Sequence, residues 1–570
     1  MTERGQQKHH FIPRFILRKF APTEQPPAGP AASPSAASRR RDFLVNKVDL
    51  QIPALTQRPV STEFALVDMY RDPGFDENPN HLEEKLSRLE GRASEIIAKA
   101  GRTFAARGSI LTLQRIEVDT LRKFLFLMKY RNTGMFDRYN HDDARSYQAD
   151  DRARMLRYMQ TKGFATPRDV WFDNLRQILD LELDDAGRSW RETLRRRIYP
   201  DDAAMFEHHL LHSFMAFGEP DDPQEEFLLT ENAFGIFEGP CSTTVDPQSG
   251  HREISVYTEF HNFAPLAPRL AIILRSNLLP FPGDRGLAQS LRASLVEAQR
   301  AAHHHPDEAG SMLLDLPIRP CETSYHNPVV VVVDSPAAFH RNDQFRFQCF
   351  RLSSAHVATI NSLFLEEAYP TASIVYHSPV SLRASIERYL ADEDPRLKQV
   401  LDVPGDRRRA YLGALQKVLA DLGGSAQCRI HPFDLAVARV RVHMAMNVGL
   451  LVGIQLLGSL PRRSLPPVYR RLRPDATLET FWYDLDQARR LMVLRTKIDR
   501  AISTSKLTEG AKTLVRGRRD VFFGSFPPGR QWLLWKIARN MSRCDVGDTL
   551  DPIPILDLNG PEDAFWTLPF

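Results

Sequence analysis

Apolar residues recur every three to four positions through long stretches of this chain, the period of amphipathic helices. Between His81 and Arg107 they fall at Leu82, Leu86, Leu89, Ala93, Ile96, Ile97 and Ala100, with charges between them. This predicts a helix with Asn80 in the N-cap position. A second stripe, Ile116, Leu121, Phe124, Leu125 and Met128, predicts a helix over Thr112 to Tyr130, and further helical patterns cover residues 142–160, 167–180 and 203–217. The period changes after the breaker Glu219-Pro220-Asp221-Asp222-Pro223. Short apolar, β-branched runs then predict strands at residues 227–230, 254–257, 270–274, 329–333 and 374–376. The unbroken valines from Val329 to Val333 require burial on both faces. Helical spacing marks residues 286–302 and 354–368 between these strands, and residues 382–390, 406–421, 433–457, 478–502 and 531–541 beyond them. The pattern is α+β and helix-dominated, with a helical N-terminal region, a small mixed sheet in the middle and a mainly helical C-terminal extension.

At 570 residues the chain exceeds one ordinary core and divides into two or three domains at roughly 150 residues each. Its 42% hydrophobic and 26% charged content excludes collagen-like, disordered and membrane-embedded classes. Residues 22–38 carry five prolines and no aliphatic side chain larger than alanine, so they form a flexible, solvated insertion rather than core. The most apolar stretch, Met444 to Leu460, contains Asn447, Gln455 and three glycines and is short of the roughly 20 residues a membrane span needs. It is expected as a buried helix, and no membrane span is favoured. The polar start, without the apolar stretch of a secretory signal, and five scattered cysteines without a C-x-x-C pair indicate reduced thiols in an intracellular protein, cytoplasmic or nuclear.

The net charge of +4 excludes a whole-surface field for nucleic acid or anionic lipid. It is not evenly spread: the first fifty residues hold nine basic and four acidic side chains, so the rest of the chain sums to −1. An anionic ligand is therefore expected near the N-terminal segment. Phosphate-binding and dinucleotide glycine loops, the G-x-S-x-G elbow, H-E-x-x-H and the calcium loop of EF-hands are all absent, and no residue set has metal-ligand spacing.

The segment from Lys8 to Phe20, KHHFIPRFILRKF, concentrates the candidate chemistry. Pro13 suits the first turn of a short helix whose apolar stripe is Ile12, Phe15, Ile16 and Phe20. His9 and His10, at its entry, are the candidate catalytic residues: an imidazole there can act as a base, hold a metal or close the turn with a hydrogen bond. Glu83 and Glu90, seven residues apart, share nearly one helix face, with Arg131 at the end of the next helix as the natural partner.

With His9, His10, Ile12, Pro13, Phe15, Leu17, Arg18 and Phe20 as its signature, the segment resembles the start of the family catalogued as domain of unknown function 4238. Similar blocks follow in order: LEEKLSRLEGRASEII with Glu83 and Glu90, LMKYRNT with Arg131, FLLTENAFGIF, APLAPRLAIIL, and AHVATINSLFLEEAYPTASIVYHSP with Asn361. Where the family carries Ser-Asp-Asn-Pro, this chain has Thr230-Glu231-Asn232-Ala233. The resemblance covers residues 8–380, leaving 381–570 as a separate helical region, and it assigns no catalytic role or cofactor. His10, Arg18, Glu83, Glu90, Arg131, Glu231, Asn232 and Asn361 are the candidates for a polar pocket, expected if they converge, of a binding or interaction protein. The alternative is a divalent-metal-dependent nuclease, in which His9 or His10 activates water and Asn46, Asn78, Asn80 or His81 completes a metal site.

Overall fold

The computed structural model describes residues 7–22, 42–75, 77–149, 151–183, 189–239, 241–245, 252–256, 259–284, 310–323, 343–401, 406–433, 469–470, 472–527 and 529–534, with isolated positions between 289 and 296. The chain forms two compact units, Met1–Val296 with His305–Arg439, and Val440–Phe570 with Glu297–His304.

The first unit opens with strand β1 (Lys8–His10), the one-turn helix α1 (Arg14–Leu17) continued by a 3-10 turn, and strands β2 (Leu44–Asp49), β3 (Ala54–Pro59) and β4 (Ala65–Val67). The helices that follow come from the strongest stripes. Helix α2 (His81–Ala105) buries Leu82, Leu86, Leu89, Ala93, Ile96, Ile97 and Ala100, the predicted face, although the Asn80 side chain makes no cap bond. Strand β5 (Ile110–Gln114) takes up what the pattern had suggested as the first turn of the next helix, so α3 runs Arg115–Tyr130 behind a reciprocal Gln114/Glu117 capping box. Helices α4 (Thr133–Tyr139), α5 (Arg152–Lys162), α6 (Pro167–Asp180), α7 (Ser189–Arg197) and α8 (Pro200–Leu211) complete the helical layer.

The helical reading of 203–217 fails at its second half, where β6 (Ser213–Pro220) is a strand. The apolar run Phe214-Met215-Ala216-Phe217 is buried throughout, and a run buried on both faces carries no period to tell helix from strand. Strands β7 (Leu229–Thr230), β8 (Phe237–Glu238), β9 (Cys241–Val245), β10 (Arg252–Val256), β11 (His261–Ala267), β12 (Leu270–Ser276), β13 (Glu322–Thr323), β14 (Gln344–Leu352) and β15 (Ser373–Tyr376) follow, with α9 (Ser354–Glu367) between the last two. The larger sheet has the order β13-β14-β6-β12-β11-β8, with β5 also pairing β14. Its β14–β6 pair is parallel, so the sheet is mixed. A second sheet, β3-β2-β15-β7, ties the N-terminal hairpin to segments more than 170 residues away. Strands β2 and β3 lie before the first long helix, where the periodicity had suggested none.

Helices α10 (Pro379–Ala391) and α11 (Arg407–Asp421), with the short pair β16 (Gln399–Val400) and β17 (His431–Pro432), lie in the same unit. Leu382, Ile386, Tyr389, Leu415 and Val418 join one continuous core with Ile16, Leu17, Phe20, Leu121, Phe124 and Ile272. The second unit contains α12 (Leu478–Thr504) and α13 (Glu509–Gly524), packed through Phe481, Leu491, Phe522 and Phe523. The predicted strand at 329–333, the insertion from residue 23 on, and Met444 to Leu460 lie outside the described residues. Among the described residues no helix is long and apolar enough to cross a membrane.

Candidate functional site

The N-terminal histidines lie on a strand. Residues Lys8, His9 and His10 pair antiparallel with Val67, Leu66 and Ala65, and Phe11 N–H donates to the Phe64 carbonyl at 2.9 Å. Pro13 then sits immediately before α1 in extended backbone, its carbonyl accepting from Ile16 and Leu17. Of the four non-glycine residues with left-handed backbone among the described residues, two, Phe64 and Asp68, bracket β4. That conformation costs energy for residues with a side chain, so the β1–β4 pair is held by its surroundings.

Consecutive strand residues point to opposite faces, yet His9 and His10 are both buried. The His9 ring stacks on Tyr70 with centroids 5.6 Å apart, and its Nδ1 accepts from Tyr70 N–H at 2.9 Å. The His10 Nε2 accepts from Arg14 Nε at 2.9 Å. A neutral imidazole has one donor and one acceptor nitrogen. These bonds therefore place the hydrogen of His9 on Nε2 and that of His10 on Nδ1. Among the described residues His9 Nε2 is buried without a hydrogen-bond partner, whereas the ring of His10 has the Glu63 backbone beside it. Burial lowers the pKa of both rings; for His10, to about 4, Arg14 adds to the effect and a hydrogen bond with the Glu63 backbone opposes it.

Two helices bring the other members. Arg131, one residue past α3, is 1% exposed and its Nη2 donates to Glu90 Oε1 of α2 at 2.5 Å and to the Met128 sulfur. Its guanidinium lies 5.8 Å from the centre of the Tyr70 ring. Arg131 Nε and Nη1 have no partner of ordinary hydrogen-bond geometry among the described residues, and the Tyr70 hydroxyl stands beside that guanidinium. Burial would lower the Arg131 pKa, but Tyr70, Glu90 and Glu83 outweigh it and the group stays charged. Glu83, two turns before Glu90 on the same face, has neither hydrogen bond nor ion pair, and burial followed by the Glu90 carboxylate raises its pKa.

His10, Glu83, Glu90 and Arg131 are thus brought together, around Tyr70. The remaining predicted members have other neighbours. Arg18 is exposed over the Phe43 ring. Glu231 accepts from Ser373 Oγ at 2.9 Å, beside the Lys47–Glu63 ion pair. Asn232 donates to the Glu367 carbonyl, and Asn361 bonds Leu228 N–H, the Glu226 carbonyl and Ser385, so both asparagines fasten loops to helices. The residues considered for a nuclease are likewise in local use: Asn46 with the His377 carbonyl and Gln57, Asn78 with Glu84 and Asn80 N–H, and His81 with Asp72. Among the described residues no group of three or more His, Cys, Asp or Glu side chains could hold a metal ion.

Tyr70 and Arg14 are the members that the sequence pattern did not single out. Tyr70 lies in a turn beyond β4 with no periodicity to expose its burial. Arg14 follows His10 by four residues, but the two meet across a strand-to-helix bend rather than on one helix.

The fold and this cluster define an α+β protein with a buried group of polar side chains beside its β1–β4 strand pair. The family described as protein of unknown function (DUF4238) matches residues 8–381, and the chain belongs to that family. No curated protein and no solved structure matches it.

The depressed His10 pKa carries a pH dependence. The unfolded chain takes the proton near 6.5, the folded one only near 4, so the stability due to neutral His10 is complete above about 6.5 and is lost as pH falls toward 4. His10→Gln should therefore lose less stability than wild type between pH 7 and 4.5, by about 2–3 kcal/mol. Urea unfolding at the two pH values measures this, and equal losses would show that His10 is not held neutral.

Proposed function

We propose that this chain is a binding protein whose ligand presents an oxyanion, a carboxylate or phosphate, to the cluster of His9, His10, Tyr70 and Arg131. One observation carries the reading: Arg131 Nε and Nη1 and His9 Nε2 are buried donors without a hydrogen-bond partner among the described residues, and the Tyr70 hydroxyl stands beside the Arg131 guanidinium. An unsatisfied buried polar group costs roughly 1–3 kcal/mol, so these donors call for an acceptor-rich partner. The basic N-terminal segment would favour approach of an anion.

The test is calorimetric titration of the full chain with inorganic phosphate and with acetate, beside thermal unfolding at matched ionic strength. One of the two should bind saturably and raise the unfolding temperature. Tyr70→Phe, which removes the hydroxyl beside Arg131 and keeps the ring, should weaken that binding at least tenfold. No saturable binding of either oxyanion overturns the reading. A nuclease would show itself as plasmid nicking with magnesium or manganese that His10→Ala abolishes, and that result would replace it.

The compartment belongs to the same proposal. Cys321, Cys349 and Cys428 are unbridged, and burial pushes the Cys321 and Cys349 thiols up to about 11, so both are protonated and unreactive. Such thiols suit a reducing, intracellular setting.

A further inference from the structure

We propose that helices α5 and α7 form a surface that binds the phosphate backbone of a nucleic acid without regard to its sequence. This surface shares no residue with the N-terminal cluster and stands independently of it. The two helices hold eight basic side chains and one acidic one, Glu192. The whole chain is only +4, so these two short helices carry more positive charge than the entire molecule. A near-neutral protein thus concentrates its cations in one place.

The helices are fastened into one face. Residues four apart on a helix lie above one another, so Arg154, Tyr158 and Lys162 form a row along α5. That row lies against residues 196–201: Arg154 pairs with Asp201 at 2.8 Å, Tyr158 Oη donates to the Arg197 carbonyl at 3.1 Å, and Lys162 Nζ donates to the Arg196 carbonyl at 3.1 Å. Arg157, Lys162, Arg196 and Arg197 are exposed, and among the described residues none of them has an ion-pair partner. Cations favour the last turn of a helix, which accounts for the three arginines that end α7. It does not account for a second basic helix bringing Lys162 to the same carbonyls. Like charges held this close repel, and a polyanion laid across them removes the repulsion.

The lack of apolar anchors selects phosphate. Protein partners and membrane-surface helices both rely on apolar or aromatic side chains at the centre of the contact. Here Met155, Met159, Trp190 and Leu194 are buried in the core, and among the described residues no exposed large hydrophobic side chain belongs to α5 or α7. Guanidinium groups match phosphate oxygens with paired hydrogen bonds, and a nucleic-acid strand offers phosphates in succession to Arg157, Arg196 and Arg197.

The experiment is fluorescence anisotropy of a labelled random-sequence DNA duplex with the full chain, without divalent cations, over a range of salt. Four phosphate contacts at about −0.9 each predict a log–log slope of about −3.6, on the order of a hundredfold weakening between about 50 and about 200 mM salt. Arg157→Gln, Lys162→Gln, Arg196→Gln and Arg197→Gln together should weaken low-salt binding at least tenfold and flatten the slope. Arg407→Gln with Arg409→Gln, exposed cations on α11, should change binding less than twofold. If the fourfold variant does not fold, the four single variants decide, each expected to lower the slope by about 1. No duplex binding by wild type, or a fourfold variant that binds as wild type does, overturns the proposal. Attachment to phosphatidylserine vesicles without duplex binding also overturns it and would make the surface a membrane contact.

Discussion

Replacing Glu90 by glutamine is expected to lower the unfolding free energy of the chain by about 3 kcal/mol. The cause is the residue left behind. Arg131 is almost wholly buried, its guanidinium stays charged, and among the described residues Glu90 is the only carboxylate it is hydrogen-bonded to. Glutamine keeps the shape and one acceptor but removes the compensating charge, and breaking a buried pair from one side strands the other ion. The same logic fixes a control. Adding Arg131→Met to Glu90→Gln removes the stranded charge, so the double variant should be more stable than the sum of the single losses would allow, with a coupling of about 1–3 kcal/mol. Urea unfolding of the four proteins gives the cycle. Strict additivity would mean that Arg131 finds water or another anion when Glu90 is gone. The double variant should also no longer bind phosphate or acetate, because it lacks the two unpartnered Arg131 donors.

The second large effect lies beyond the segment that defines the family. Arg408→Met, at the start of α11, should cost about 3–5 kcal/mol. Arg408 is ion-paired with Glu366 at the end of α9, and both side chains are buried. Glu366 also accepts from Tyr389 Oη at 2.6 Å and Lys398 N–H at 2.9 Å. Without Arg408 a buried carboxylate would be left with two hydrogen bonds and only the more distant charge of Lys398. Arg429→Ala is the matched control: its pair with Glu393 at 3.7 Å is half-exposed or more on both sides, and such pairs are worth at most about 1 kcal/mol. Equal losses for the two variants would show that residues 407–421 are not integral to the first unit.

Much of the helical layer was readable in advance because its signal is local. In α2 and α6 each turn repeats the apolar face, and the expected start of α6 at Pro167 is where the structure places it, behind a Thr166/Asp169 capping box. Strands were legible where a β-branched run stands between breakers, as at Ser373–Tyr376, and illegible at β2 and β3, whose mixed residues gain meaning only from their neighbour β15. The divided fate of residues 203–217 has the same origin: Phe214 to Phe217 become a strand because β12 and β14 flank them.

The candidate site shows the same division. Residue type and spacing were enough to single out the histidine-proline motif, the Glu83/Glu90 face and the partnership of Glu90 with Arg131, since helix geometry and charge are written in the chain. They did not reveal that His9 and His10 lie on a strand, that Tyr70 stands between the motif and Arg131, or that Asn232 and Asn361 are spent on loop anchoring. Those outcomes depend on pairings across long sequence separations. Above all, the orphaned donors exist only in three dimensions, because a hydrogen atom lacks a partner only once folding has settled which acceptors lie within reach.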